Sequence, residues 1–148
     1  AGPYPVVYSN GILNHHENYQ THGPGVVTGR SGTIGKLTYI ESIPYWPHNT
    51  TLWVTSFREN DPKFVYFLYK NIGFERFASG SGVPTLNRND AHAFETKIPP
   101  TKSEQIAIAN ILSDMDRELI IFETRREKSR QLKLGLMQEL LVGKIRLL

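Results

Sequence analysis

The last third of the chain carries apolar residues at helical spacing, and this feature limits the possible folds more than any other. The motif T-x-x-E that starts at Thr101 is a capping box, which predicts the first turn of a helix. Gly143 predicts its end. A helix from Thr101 to about Val142 would be ~60 Å long at 1.5 Å per residue, so a compact domain formed by the preceding residues could not cover its whole length.

The apolar positions from Ile108 to Phe122 repeat with the 4-3 spacing of a coiled-coil seam, and the apolar seam resumes at Leu132. Two polar positions, Arg126 and Ser129, interrupt the seam and could set its register. We therefore expect the helix to pack on a helix of the same complex or on a second copy of the chain. The alternative is a terminal helix that folds back on its own domain. The predicted interface residues are Ile108, Leu112, Met115, Leu119, Phe122, Leu132, Leu136 and Leu140.

The residues before this helix are richer in Gly, Pro, Asn, Thr, Tyr and Trp. Short β-branched and aromatic stretches between turn residues predict strands. One segment instead predicts a helix, in which Asp61 is the cap, Pro62 takes the first position and Gly73 marks the end. The predicted fold class is α+β, with a strand-rich domain over 1–100 and a long coiled-coil helix over 101–148. The stretches predicted as strands include GVVTG, TIGKLTYI, TLWVTSF and AFETKI.

Composition excludes several classes of protein. The 148 residues suit one domain, and the net charge of +3 is too small to prove a nucleic-acid partner. No run of about 18 apolar residues predicts a membrane span, and the first residues show no signal peptide. Cysteine is absent, which excludes disulfides and thiolate chemistry. We expect a cytoplasmic protein.

The stretch GRSGTIGK places glycine at every third position, at Gly29, Gly32 and Gly35. A phosphate-binding loop needs G-x-x-x-x-G-K-[ST], but Arg30 stands at the first glycine position and Leu37 at the hydroxyl position. The histidines lack the spacing of metal ligands, and no catalytic motif or pair of carboxylates is recognisable. The sequence therefore predicts no metal site, no catalytic residue and no enzyme activity, and an enzyme acting on phosphate esters is disfavoured.

Three polar segments, predicted as loops, have side chains that suit DNA. Arg and Lys match the O6 and N7 of guanine, Asn matches the N6 and N7 of adenine, and Ser, Thr and backbone N–H groups match phosphates. The same residues also suit ordinary turns between strands. The predicted DNA-binding residues are Asn14, His15, His16, Arg30, Ser31, Thr33, Lys36, Ser79, Ser81, Asn87 and Arg88.

The order of segments resembles the specificity subunit of Type I restriction–modification systems over nearly the whole chain. The segments that carry the resemblance are YPVVYSNGILNHHENY, GPGVVTGRSGTIGKLTYI, YWPHNTTLWV, SGSGVPTLNRND, IPPTKSEQIAIANIL and KLGLMQELLVGKIRL. They match one target-recognition domain followed by one conserved spacer helix. Family domains normally open with a further strand-rich segment, so the resemblance implies that this domain is incomplete at its N-terminal side.

The resemblance implies a non-catalytic subunit that reads one half of a bipartite DNA target. In the family, two long helices pack antiparallel, and modification subunits dock and methylate adenine with S-adenosylmethionine. Restriction subunits add ATP- and Mg²⁺-dependent cleavage, so the chain itself would need no cofactor. A half-subunit would form a two-fold dimer and read a gapped palindrome. The alternative is a stand-alone coiled-coil assembly protein without its own DNA specificity.

Overall fold

The computed structural model describes residues 2–80 and 82–147. Ser81, one of the predicted DNA-binding residues, lies outside them. The strands are β1 (Tyr4–Tyr8), β2 (Gly11–His16), β3 (Thr21–His22), β4 (Gly25–Gly29), β5 (Leu37–Ile40), β6 (Pro44–Pro47), β7 (Thr51–Trp53), β8 (Ala78–Ser79) and β9 (Thr85–Leu86). The helices are α1 (Pro62–Ile72), α2 (Arg88–Ala93) and α3 (Lys102–Leu141), with a 3-10 turn at Phe74–Phe77. The α+β class with a long C-terminal helix is confirmed.

The contacts within the chain define two compact units, residues 1–109 and residues 110–148. The first unit contains all the strands given above, the helices α1 and α2, and the first two turns of α3. The second unit contains the rest of α3 and the residues that follow it.

One sheet of the first unit has the strand order β2-β1-β6-β3. The pairs β1–β2 and β3–β6 are antiparallel, whereas β1 and β6 are parallel, with Val6 opposite Trp46. The register of β1 and β2 shifts between Val6 and Val7, so Leu13 is an extra residue in β2, as in a β-bulge. β2 is the edge strand at one end of this sheet, and every residue of β2 after Gly11 is exposed.

A second sheet has the order β5-β4-β7, with both pairs antiparallel. The central strand β4 is buried along its whole length, as its continuous run of small and β-branched residues suggests. Val7, Val27, Ile40 and Tyr45 form the centre of the core, with Trp53 packed against them. These residues come from both sheets. Burial of one large apolar side chain stabilises the fold by about 1.5–3 kcal/mol. The core therefore joins the two sheets.

Helix α1 begins and ends where the sequence predicts. The side chain of Asp61 accepts a hydrogen bond from the Phe64 nitrogen at 2.8 Å, and Pro62 occupies the first turn. Gly73 has φ +71°, and its N–H donates to the Tyr69 carbonyl at 3.2 Å. Glycine adopts this left-handed conformation without the steric cost that a Cβ would add, so the helix ends there.

Several local predictions were wrong in whole or in part. AFETKI contains no strand, because Ala93 ends α2 and residues 94–98 belong to neither helix nor strand. The first polar segment is not a loop throughout, since its residues Gly11–His16 form strand β2. The third contains β9 and the start of α2, a helix that sequence analysis missed. Of TIGKLTYI, the part from Leu37 onward is strand.

The long helix α3 is confirmed, with nearly the predicted bounds. The Glu104 nitrogen donates to Oγ1 of Thr101 at 3.3 Å, which is the first half of the predicted capping box. After Leu141 the chain turns through Gly143, whose φ is +73°. In the described part of the chain, no helix is both long and apolar enough to cross a membrane.

Gln105, in the first turns of α3, is a polar residue of the interior, with 3% of its surface exposed. Its Oε1 accepts a hydrogen bond from the backbone N–H of Asp61 at 2.9 Å. Its Nε2 donates to Oδ1 of Asn60 at 2.9 Å and to the carbonyl of Pro99 at 3.0 Å. The start of α3 is thus bonded to the residues that begin α1.

Candidate functional site

The loop between β4 and β5, residues 30–36, contacts the turn between β1 and β2. The ammonium group of Lys36 donates a hydrogen bond to the backbone carbonyl of Asn10. A Cβ at Gly29, where the loop begins, would collide with the carbonyl oxygen of Thr33 and touch the side chain of Ser9. The absence of a side chain at Gly29 therefore allows the tight approach of these segments.

The same loop pairs with the segment around β9. The Leu86 nitrogen donates to the Arg30 carbonyl at 2.8 Å, and Ser31 forms a β-bridge with Thr85. The Gly32 nitrogen donates to the Pro84 carbonyl at 3.1 Å. Residues 30–36 are therefore held by backbone hydrogen bonds, and parts of all three polar segments lie together.

Two of the predicted residues have structural roles at the start of α2 and in β8. Asn87 caps α2, since its Oδ1 accepts from the Asn89 nitrogen at 3.1 Å. Ser79 donates to the Thr85 carbonyl at 3.4 Å, across the β8–β9 pair. Arg88 is the first residue of α2 and is exposed. The amide nitrogen of Asn87 and the guanidinium of Arg88 have no recorded partner among the described residues.

Strand β2 presents the other predicted residues along an exposed sheet edge. The Asn14 Nδ2 donates to the Tyr8 hydroxyl at 3.2 Å. The His16 ring lies 4.9 Å from the Trp46 ring, and its Nδ1 accepts from the Asn18 nitrogen at 2.9 Å. Adjacent residues of a strand point to opposite faces, so His15 is directed away from His16. Asn14 and His16 therefore share one face of β2.

Tyr8, His48 and Thr50 connect β2 to the loop at 30–36. The rings of Tyr8 and His48 stack, with centroids 4.2 Å apart and 29° between their planes. The His48 Nδ1 lies 3.0 Å from Oγ1 of Thr50. The Thr50 carbonyl accepts from the Arg30 nitrogen at 2.8 Å and from the Ser31 nitrogen at 3.3 Å. A continuous chain of contacts thus joins Asn14 to Arg30.

Sequence reasoning did not identify Tyr8, His48 and Thr50 as parts of this site. Tyr8 ends an ordinary buried strand, and His48 and Thr50 lie in a turn forty residues later. The pairing of these residues depends on the parallel contact between β1 and β6, which leaves no local signal in the sequence. We name this region the polar surface. It comprises Asn14, Tyr8, His48, Thr50, the loop 30–36 and residues 84–88.

The polar surface carries exposed positive charge. Arg30, Lys36 and Arg88 are exposed, and none of them forms an ion pair with any residue the structure describes. The Glu75 carboxylate borders the surface, because a Cβ at Gly35 would collide with it. Gly35 also has φ +86°, which favours glycine at this position. The surface therefore offers cations and neutral hydrogen-bonding groups, a combination that suits a polyanion with distinct acceptors.

Within residues 2–80 and 82–147, no three His, Cys, Asp or Glu side chains are grouped so that they could hold a metal ion. His15 and His16 point to opposite faces of β2, and His16 Nδ1 is already hydrogen-bonded to Asn18. The groups that the polar surface presents are hydrogen-bonding and cationic side chains.

Most of the predicted seam residues of α3 are exposed. Met115, Leu119 and Phe122 expose 56%, 57% and 60% of their surfaces, and Leu132 and Leu136 are also exposed. Ile108, Leu112 and Leu140 are half-buried. Within the second unit, the apolar seam residues Met115, Leu119, Phe122, Leu132 and Leu136 are thus exposed.

The fold is similar to that of a solved protein. A crystal structure of the Type I restriction–modification system S subunit from M. genitalium superimposes with a TM-score of 0.66 at 22% sequence identity. The match covers 94% of this chain and 38% of that chain, so the present chain spans well under half of the S subunit. The likeness shows the fold class, a strand-rich α+β unit with a long C-terminal helix.

The sequence also matches a family model over most of the chain. The matching model is the Type I restriction modification DNA specificity domain, and it aligns with residues 1–132. This range includes the polar surface and most of α3. The chain belongs to the family of Type I restriction–modification DNA specificity domains.

Proposed function

We propose that this chain reads one half of a bipartite target in double-stranded DNA. The observation that carries the proposal is the polar surface, where backbone hydrogen bonds bring distant segments together. Arg30 and Lys36 follow β4, Asn14 lies on β2 and Arg88 begins α2. The contact residues that we propose are Asn14, His15, His16, Arg30, Ser31, Thr33, Lys36, Ser79, Ser81, Asn87 and Arg88.

The chemistry of the polar surface supports this proposal. Arginine presents a rigid fork that matches guanine O6 and N7, and the Asn14 amide keeps one N–H and its oxygen for the N7 and N6 of adenine. Lys36 combines a positive charge with a contact to the Asn10 carbonyl, so it suits a phosphate next to the β1–β2 turn. Backbone bonds hold Arg30 in place, so its side chain remains free to contact the duplex.

We propose that α3 pairs with a second long helix through its exposed seam. The partner helix belongs either to a second recognition half or to a second copy of the chain. Burial of Met115, Leu119 and Phe122 would remove apolar surface from water at about 25 cal/mol per Å². A two-fold arrangement of two copies would place two polar surfaces in inverted orientation and so fit a gapped palindrome.

The further partners in this proposal are the modification subunits, which dock on the chain, and a restriction subunit, which joins through the complex. S-adenosylmethionine, ATP and Mg²⁺ are used by those subunits, and the chain contributes recognition without catalysis. The family membership and the exposed α3 seam support this assignment, since a recognition subunit needs surfaces for both DNA and protein.

The decisive experiment is selection from a random duplex library by the chain together with its modification subunits, followed by sequencing. A gapped palindrome would indicate two copies paired through α3, and a single enriched half-site would indicate one recognition domain acting by itself. If no sequence is enriched although the modification subunits bind, DNA reading by this chain is refuted. The chain would then be a coiled-coil assembly protein without its own specificity.

A further inference from the structure

We infer that His48 is a specificity-determining residue, whose Nε2–H donates to a purine acceptor in the major groove. The inference rests on the proposed DNA recognition and extends it to a residue outside the predicted loops. His48 lies in the turn between β6 and β7 and is part of the polar surface. It is half-buried, and its Nε2 is not among the buried side-chain atoms of the described residues that lack a hydrogen-bond partner.

The hydrogen bonds of His48 determine which ring nitrogen carries the proton. The Thr50 backbone N–H lies 3.4 Å from Nδ1, and a backbone N–H can only donate. The Thr50 hydroxyl, 3.0 Å from the same nitrogen, can also donate to it. Nδ1 is therefore the acceptor, and the neutral ring carries its proton on Nε2. Nε2 has no recorded acceptor among the residues that the structure describes.

One ring contact and two backbone hydrogen bonds hold His48 in place before any ligand binds. Tyr8 stacks on one face of His48 with centroids 4.2 Å apart. The His48 backbone is held at both its groups, because its nitrogen donates to the Val7 carbonyl at 2.8 Å and its carbonyl accepts from Oγ1 of Thr51 at 2.7 Å. A donor held in this way loses little conformational freedom on binding, which favours selective recognition of an acceptor at one position.

The neighbours of His48 indicate a base edge as the acceptor. Asn14 is bonded to the same tyrosine that stacks on His48, so the amide and the imidazole both contact Tyr8. Asn14 offers a donor and an acceptor to an adenine, and the N7 of an adjacent purine is an acceptor for a single N–H. Tyr8 acts as a positioning residue, since its ring supports His48 and its hydroxyl holds Asn14.

The test compares variants by selection from the random duplex library described above. In His48→Asn, the new Oδ1 can accept the hydrogen bonds that Thr50 gives to Nδ1, and the amide N–H groups of the shorter side chain do not reach the acceptor of Nε2–H. In Tyr8→Phe, the stacked ring remains and the contact with Asn14 is lost. His22→Ala is the matched control, because His22 is an exposed histidine on β3, at the other end of the sheet from β2. Circular dichroism confirms that each variant is folded.

We expect His48→Asn to discriminate between base pairs at least about tenfold less at one position of the target, and to keep the wild-type preference at the other positions. Tyr8→Phe should affect a neighbouring position, and His22→Ala should select the same sequence as the wild type. Equal weakening on all sequences, with a smaller dependence on salt, would mean a phosphate contact and would overturn the inference. An unchanged selection by folded His48→Asn would also overturn it while leaving the proposed function intact. If the wild type selects no sequence, both fall.

Discussion

The side-chain oxygen of Gln105 lies 2.9 Å from the backbone nitrogen of Asp61, the residue that caps α1. The two residues are 44 positions apart in the sequence and join the first turns of the long helix to the start of the shorter one. The amide nitrogen of Gln105 is used as well, by Asn60 and Pro99. A buried amide with all these bonds fixes its surroundings more strongly than an apolar residue of the same size would.

Gln105→Ala should lower the free energy of unfolding by about 1–3 kcal/mol, because it leaves polar groups of the half-buried residues Asp61, Asn60 and Pro99 without their partner. Urea unfolding followed by tryptophan fluorescence measures the change. The matched control is Gln131→Ala, since Gln131 is an exposed glutamine of the same helix, and its effect should stay within about 0.5 kcal/mol. Equal effects of the two substitutions would contradict the role given to Gln105.

Gly29→Ala should destabilise the first unit by about 1–3 kcal/mol, because the added methyl group collides with the rigid backbone at Thr33. The matched control is Gly82→Ala, where the new methyl group would meet no atom within 4 Å. Thermal unfolding followed by circular dichroism distinguishes the two variants. A wild-type melting temperature for Gly29→Ala would show that the loop can move away from β4 without cost.

Arg30→Ala should weaken binding of the selected duplex by about 1–3 kcal/mol and relax the preference at one position, if the guanidinium contacts a guanine. Fluorescence anisotropy with the selected and a scrambled duplex provides the measurement. Arg146→Ala removes an exposed arginine of the second unit and serves as the charge-matched control. A loss of equal size on both duplexes would assign Arg30 to the phosphate backbone instead.

Leu119→Asp combined with Phe122→Asp should separate a helix-mediated dimer into monomers, because each carboxylate would have to be buried in an apolar seam. Both residues are exposed in the single chain, so its helix content should change little. Sedimentation velocity measures the oligomeric state. The control is the double variant Asn110→Asp with Gln131→Glu, which adds the same charge outside the seam. A dimer that survives the Leu119 and Phe122 substitutions would exclude this seam as the interface.

The burial of Tyr45 leads us to expect a loss of stability in alkali. Burial raises the pKa of Tyr45 from 10.0 to about 12, because the phenolate would lose its hydration in the core. The unfolded chain therefore releases this proton first, and stability falls from pH 10 to about 12 by at most about 1.4 kcal/mol per pH unit. Tyr45→Phe removes this contribution, so its stability should depend less steeply on pH over that range. Identical slopes in urea unfolding would contradict the assignment.

Local signals in the sequence predicted the elements that are stabilised by local interactions. Asp61, Pro62 and Gly73 mark the ends of α1 through capping and backbone preferences, and they act within one turn of the helix. The 40 residues of α3 were predicted because their periodicity is long enough to be unambiguous. AFETKI was predicted wrongly as a strand, since a short stretch with alternating character carries little information when no neighbouring strand pairs with it.

The candidate site was predicted in its parts and not in its arrangement. The three polar segments were recognised by their side-chain chemistry, but Lys36 contacts Asn10 across 26 positions, and Arg30 pairs with Leu86 across 56. Such pairings follow from the sheet topology, which sequence periodicity does not encode. His48 was missed for the same reason, because its stacking on Tyr8 depends on the parallel pairing of β1 and β6.

Backbone atoms hold the loop that follows β4. Arg30 and Ser31 are fixed through the Thr50 carbonyl, and Leu86 and Pro84 bond to main-chain atoms of Arg30 and Gly32. A main-chain bond of this kind survives the exchange of most side chains, so substitutions at positions 30 and 31 can alter the surface while its geometry is preserved. A change of target sequence by a few mutations therefore requires no new fold, and a retargeted variant would inherit the stability of its parent.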